Sequence, residues 1–169
     1  MKNIVLTGFM GTGKTAVGRE LTAMLGMRLV DIDAEIERSQ KMTINDIFKN
    51  YGEGRFREIE SEMIKKFSED KNLIISTGGG AVLKSVNMDN LSKNGIIFCL
   101  NASPQAIMER TKMSGDRPLL KVVDPLAKIR ELLDYRRPFY EEAGTMIETE
   151  GKTPRQIAEE IAEIIKCRK

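Results

Sequence analysis

Five short apolar runs organise this chain: Ile4–Leu6, the brief pattern Met27–Asp33, Leu73–Ser76, Ile96–Leu100 and Met146–Glu148. Runs of this length bounded by Gly, Asn or Pro read as strands, and Leu73-Ile74-Ile75 is continuous enough to predict a strand covered on both faces. Between them the apolar spacing becomes helical. Ala16, Val17, Leu21 and Leu25 share one helix face, and Ile44, Ile47 and Phe48 follow a capping box at Thr43 and Asp46. Phe56, Ile59, Met63 and Phe67 form the buried face of a third pattern. The spacing thus predicts helices over 34–40, 43–49 and 54–67, with a turn at Tyr51-Gly52-Glu53-Gly54. Ser103-Pro104 and Asp124-Pro125 each announce a helix, the first running to about Lys112 and the second carrying Ile129, Leu132 and Leu133. A closing helix after Pro154 presents Ile157, Ile161, Ile164 and Ile165. Strands alternating with helices imply an α/β fold whose sheet is parallel with right-handed crossovers.

Composition narrows the class without choosing a function. The 169 residues suffice for a single domain, and 41% hydrophobic with 31% charged residues suits a soluble globular chain. Lys and Arg number 27 against 25 Asp and Glu, a balance that argues against nucleic acid as a partner. No apolar run is long enough for a membrane span, and the chain enters a strand at once, so a cytoplasmic protein with no membrane partner is expected. Cys99 lies in an apolar run and reads as a buried structural thiol, while Cys167 is in the charged tail. Histidine is absent, so proton transfer must use a carboxylate, a lysine or the substrate.

The chemistry starts in the first strand-to-helix junction, Gly8-Phe9-Met10-Gly11-Thr12-Gly13-Lys14-Thr15 followed by Ala16. Two glycines five residues apart with Lys-Thr after the second make a P-loop, whose backbone N–H groups turn inward on a phosphate at a helix N-terminus. In that frame Lys14 reaches the β- and γ-phosphates and the Thr15 hydroxyl ligates Mg²⁺. Asp31 and Asp33 end the second strand. If the chain stays extended, both side chains fall on one side at the ligand-binding edge of the sheet, although Asp33 is also well placed to cap the helix that follows. No Asp ends the strand at Leu73–Ser76, which shifts a metal-associated carboxylate to Asp31. Gly78-Gly79-Gly80 lets a ligand approach the backbone closely. Arg57 is either an anion ligand or a surface arginine paired with Glu53 or Glu60. Arg117 sits in the polar stretch Met113–Lys121, which reads as a mobile loop able to deliver a charge on closure. Arg136 and Arg137 precede Pro138, whose expected kink would let them project into a cleft. Arg57 and Arg136 can each grip a carboxylate in bidentate fashion and Asp33 can accept from hydroxyls, so a hydroxylated carboxylic acid fits the set.

Over nearly its whole length the chain resembles the shikimate kinases. The carrying motifs are Gly8–Thr15, Asp31-Ile-Asp33, Phe56-Arg-Glu-Ile-Glu60, Gly78-Gly-Gly-Ala-Val82, Arg117-Pro-Leu-Leu120 and Arg136-Arg-Pro-Phe-Tyr140. The resemblance implies a three-layer P-loop fold of the nucleoside-monophosphate-kinase type with a five-stranded parallel sheet flanked by helices. It further implies a substrate-binding insert over 33–61 and a lid over 112–124. By the same resemblance Gly11, Thr12, Gly13, Lys14, Thr15 and Ala16 would hold ATP, with Arg110, Thr153 and Pro154 flanking adenine. Thr15 and Asp31 would serve Mg²⁺. Asp33 would orient the 3-hydroxyl of shikimate, Arg57 and Arg136 would bind its carboxylate, and Gly78, Gly79 and Gly80 would complete the pocket. Arg117 would swing in with the lid, so that Lys14, Asp33 and Arg117 are the catalytic set of a monomer. Two departures from the family pattern, Thr15 for Ser and Phe139 for Leu, leave the donor chemistry unchanged. A gluconate-kinase-like enzyme and a non-catalytic nucleotide-binding module are the rival readings.

Overall fold

The computed structural model describes residues 2–112 and 122–167. The elements follow in the order β1 (Asn3–Gly8), α1 (Lys14–Leu25), β2 (Arg28–Asp31), α2 (Ile32–Gln40) and α3 (Ile44–Glu69). After them come β3 (Leu73–Ser76), a 3₁₀ turn (Ala81–Leu83), α4 (Ser85–Asn94), β4 (Gly95–Asn101) and α5 (Pro104–Thr111). The chain ends with α6 (Pro125–Ala143), β5 (Thr145–Glu148) and α7 (Pro154–Cys167). The five strands form one sheet in the order β2-β3-β1-β4-β5, and every pairing is parallel.

Strand alternation divides the core in two. Ile4 and Leu6 of β1, Ile74 of β3 and Phe98 and Leu100 of β4 face one layer, where they meet Val17 and Leu21 of α1 and Ile157 and Ile161 of α7. Val5, Ile75, Ile97 and Cys99 face the other, against Ile47, Phe56, Ile59 and Ile64 of α3, Leu91 of α4 and Ile129 and Leu133 of α6. The isoleucine stripe of α7 explains why that helix docks: each fully buried Ile contributes about 1.5–3 kcal/mol. β1, flanked on both sides, is buried along its whole length, and its C-terminal end therefore delivers the glycine loop from a rigid base.

The two helices expected over 43–49 and 54–67, with a turn between them, are present: α3 is two helical stretches meeting at a kink where Gly52 takes φ 79° and ψ 170°. Three other expectations are revised. A helix over 85–94 has no counterpart in the apolar pattern, because α4 buries only Asn87 and Leu91 and leaves Val86 half exposed. β2 stops at Asp31, so the chain does not stay extended to Asp33; Asp31 itself caps α2, accepting from the Ala34 amide at 3.4 Å, and Asp33 lies in the first helical turn. Pro138 does not interrupt α6. It is exposed, as is Asp134 one turn earlier, so water can replace the missing N–H. Of the two adjacent arginines only Arg136 turns inward; Arg137 is exposed beside Asp134.

Candidate active site

At the C-terminal edge of the sheet the loop between β1 and α1 encloses a cleft of about 340 Å³. Its backbone shape depends on glycine: Gly11 has φ 77° and Gly13, which caps α1, has φ 95°. The Thr12 hydroxyl donates to the Phe9 carbonyl at 2.7 Å, and the Lys14 ammonium donates to the carbonyls of Gly8 and Phe9 at 2.7 and 2.8 Å. The cleft is lined by Gly11, Gly13, Lys14, Thr15 and Ala16 together with Asp31, Asp33, Gly78, Gly79 and Arg110. Thr12 is buried within the loop. Such a loop at a helix N-terminus presents amide hydrogens and the positive end of the helix dipole to an anion.

The Thr15 hydroxyl donates to Oδ2 of Asp31 at 2.8 Å, joining the start of α1 to the end of β2. A hydroxyl and a carboxylate side by side are hard oxygen donors of the kind Mg²⁺ takes while retaining water and phosphate ligands, so the pair fits that ion. The described residues contain no group of three or more Asp, Glu, His or Cys that would make an all-protein metal cage. Arg110 reaches from α5 to Oγ1 of Thr149 at 3.0 Å and to the Gly11 carbonyl at 3.4 Å, closing one wall of the cleft. Thr153 and Pro154 are exposed at the entry to α7, where Thr153 and Gln156 cap each other, and neither is a lining residue of the cleft. Arg117 and most of the stretch 112–124 lie outside the described residues.

A second chamber of about 670 Å³ opens from the first. Met10, Thr15, Asp31, Asp33, Gly78 and Gly79 line both, so the two volumes share a wall. The chamber adds Ile44, Asn45, Phe48, Phe56, Arg57 and Glu60 from α3, Gly80 from the glycine run and Arg136 from α6. Arg57 is held from two sides. Its Nη1 meets Oε2 of Glu60 at 2.8 Å, and its Nη2 and Nε meet Oε1 of Glu53 at 3.2 and 3.3 Å. The arginine side chain is 13% exposed and that of Glu60 is 0% exposed, whereas Glu53 is 55% exposed. The pairing expected for Arg57 is present with both glutamates, but the side chain is largely enclosed rather than on the surface, and it lines the chamber.

Burial pulls the Arg57 guanidinium down, but the neighbouring carboxylates of Glu60 and Glu53 outweigh it and leave the group more firmly protonated than usual. Burial pushes the Glu60 carboxyl up, against the pull of Arg57, Lys84 and Arg136. Arg136 is 4% exposed, stands over the Phe9 ring at 5.6 Å, and has an Nε with no hydrogen-bond partner. The glycines are needed where side chains converge. A Cβ on Gly78 would lie 2.7 Å from Oε1 of Glu60 and 3.1 Å from Oδ1 of Asp33, and one on Gly80 would collide with the Arg57 guanidinium.

Asp31, Asp33, Arg57, Arg136 and the three glycines are thus brought together beside the cradle. Sequence reasoning overlooked Glu60 and Tyr140 as parts of the site. Glu60 carries a signal: it lies four residues after Phe56 and four before Ile64, a charge on an apolar stripe. Tyr140 stands in the motif Arg136–Tyr140, but that motif does not say that its hydroxyl reaches Gly79.

The family model described as "Shikimate kinase" matches residues 10–166. Among curated relatives, the shikimate kinase of Thermodesulfovibrio yellowstonii is 53% identical over 161 residues, covering 95% of this chain and 93% of that protein. The shikimate kinase of Caldicellulosiruptor saccharolyticus is 48% identical over 164 residues, covering 97% and 95%. The solved structure of shikimate kinase from Acinetobacter baumannii in complex with shikimate superposes with a TM-score of 0.96 at 39% identity, covering 100% of this chain and 95% of that one. A P-loop cradle that shares a wall with an arginine-lined chamber, on a chain matched along this much of its length, belongs to the shikimate kinase family.

Proposed function

We propose that the chain transfers the terminal phosphoryl group of ATP to the 3-hydroxyl of shikimate, giving 3-phosphoshikimate and ADP. The carrying observation is the shared wall: Thr15, Asp31, Asp33, Gly78 and Gly79 border both the phosphate cleft and the acid chamber. An acceptor hydroxyl held at Asp33 would face a phosphorus held by the loop. The loop amides and Lys14 bind the phosphates, with Arg110 at the nucleotide side. Thr15, and Asp31 through water, would hold Mg²⁺, which supplies charge neutralisation on the phosphate oxygens. Arg57 and Arg136 take the carboxylate of shikimate, and Gly78, Gly79 and Gly80 let the ring lie against the backbone.

The hydroxyl oxygen bonds to the γ-phosphorus while the bond to the β–γ bridging oxygen breaks. The hydroxyl proton passes to the Asp33 carboxylate, and ADP departs with the bridging electrons. Catalysis is mainly positioning and charge neutralisation, to which Asp33 adds a modest proton-accepting part. Arg117 belongs to this reading as a cation carried by a lid over 112–124, and 33–61 as the insert that builds the chamber. On this reading the protein is a cytoplasmic monomer working on a small molecule; among the described residues no helix is long and apolar enough to cross a membrane.

ADP release by the purified protein with ATP and Mg²⁺, measured across shikimate, gluconate and other hydroxy acids, tests the reading. Shikimate alone should support turnover, with one phosphoryl group added to the acid by mass spectrometry. Turnover with gluconate and none with shikimate overturns it.

A further inference from the structure

Arg136 and Tyr140 are one helical turn apart on the inner face of α6, and both are buried, 4% and 5% exposed. The Tyr140 hydroxyl donates to the carbonyl oxygen of Gly79 at 2.6 Å, and the Arg136 guanidinium, one turn back on the same helix, bears electrostatically on the same phenol. The phenol thus ties α6, next to Arg136, to the glycine run.

Gly79 is a crossing point. A Cβ built on it would stand 3.2 Å from the Gly8 carbonyl oxygen, 3.3 Å from the Met10 nitrogen and 3.5 Å from Nη1 of Arg136. One residue therefore touches the phosphate loop on one side and the chamber arginine on the other, with the phenol holding its carbonyl. A buried tyrosine finds some partner in most proteins, and that alone would make Tyr140 a core residue. Here the partner lines both cavities. Burial pushes the phenol up to about 12, so it remains a donor at neutral pH.

We propose that Tyr140 is a positioning residue: by tying α6, one turn from Arg136, to the Gly79 carbonyl it sets the spacing between the arginine that holds the acceptor acid and the loop that holds the phosphoryl donor. This rests on the phosphoryl-transfer reading above. Tyr140 lines neither cavity, and it acts through the two groups it connects. Its loss leaves each binding surface standing but loosens their alignment.

The test is Tyr140→Phe, with kcat from steady-state turnover and equilibrium Kd values for shikimate and ADP from calorimetry. A misplacement near 1 Å costs on the order of a hundredfold in rate, so kcat should fall roughly 10- to 100-fold. Both Kd values should stay within about threefold of the parent, a shift under 1 kcal/mol. A kcat within about twofold of the parent overturns the proposal. So does a loss carried entirely by weakened Kd values, which marks a plain structural or binding role. If Tyr140→Phe does not fold, Tyr140→Met carries the same test, since it too removes the phenol hydroxyl while filling the buried space. The same split is expected there, and an unchanged kcat overturns the idea. A parent protein that fails to phosphorylate shikimate sinks the functional reading itself, whereas an active parent with an equally active Tyr140→Phe sinks only this inference.

Discussion

The phosphate cradle and the acid chamber share a wall but are built on opposite principles. The cradle is one stretch of chain, Gly8–Thr15, and works through backbone: its amides, its glycine conformations and a lysine folded onto its own carbonyls. The chamber takes side chains from α2, α3 and α6, set against the backbone of the glycine run, and works through charge: Asp33, Arg57, Glu60 and Arg136. Backbone sites resist substitution except at the few residues whose side chains enter, whereas a side-chain site can be retuned one residue at a time. The cradle thus suits a donor common to many enzymes, and the chamber a particular acceptor.

Single substitutions can break this contrast. Lys14→Met should have the largest effect, removing the one mobile charge of the cradle; a loss of roughly 10²–10³-fold or more in kcat is expected, with circular dichroism unchanged. Asp33→Ala strikes the chamber beside the shared wall and should lower kcat by about a hundredfold in the same assay. Near-normal shikimate-dependent ATP consumption in that variant would remove Asp33 from the reaction. Arg136→Lys cannot reproduce the guanidinium fork and should raise the KM for shikimate about tenfold while the KM for ATP holds; an unchanged shikimate KM would place the carboxylate elsewhere. Gly80→Ala, which drives a methyl group into the Arg57 guanidinium, should raise the same KM by about threefold, because the far end of an arginine can yield. The smallest effect concerns the core on the chamber side of the sheet. Cys99 is fully buried and its thiol is pushed up to about 12 by burial, so iodoacetamide should label exposed Cys167 and spare Cys99 in the native protein. Labelling of native Cys99 would show that this half of the core opens more readily than its packing implies.

How far each region could be read from the residues follows from the same contrast. The cradle was legible because its parts are adjacent: the glycine spacing, Lys14 and Thr15 fit one pattern, and the strand and helix around it have plain periodicities. The sheet followed from its apolar runs. Asp31 and Asp33 were paired correctly but by the wrong path, since the chain bends into a helix at Asp31 instead of remaining extended. α4 was not legible because it packs through Asn87, whose amide donates to the Ala81 carbonyl at 3.0 Å, a polar anchor that an apolar pattern does not register. Glu60 was passed over as an ordinary partner for Arg57, since a sequence does not tell a fully enclosed carboxylate from a solvated one. Tyr140 depends on a contact 61 residues away along the chain, which only the fold supplies.

Arg57 is never without a carboxylate. Enclosed Glu60 anchors one edge of its guanidinium, while Glu53, more than half exposed, occupies the other. On the proposed reading, an incoming acid would displace the weaker resident by exchange, carboxylate for carboxylate, so the guanidinium would not need to shed a full hydration shell at the moment of capture. Selectivity would then rest on competition: an anion unable to outdo a tethered glutamate would gain no hold on Arg57.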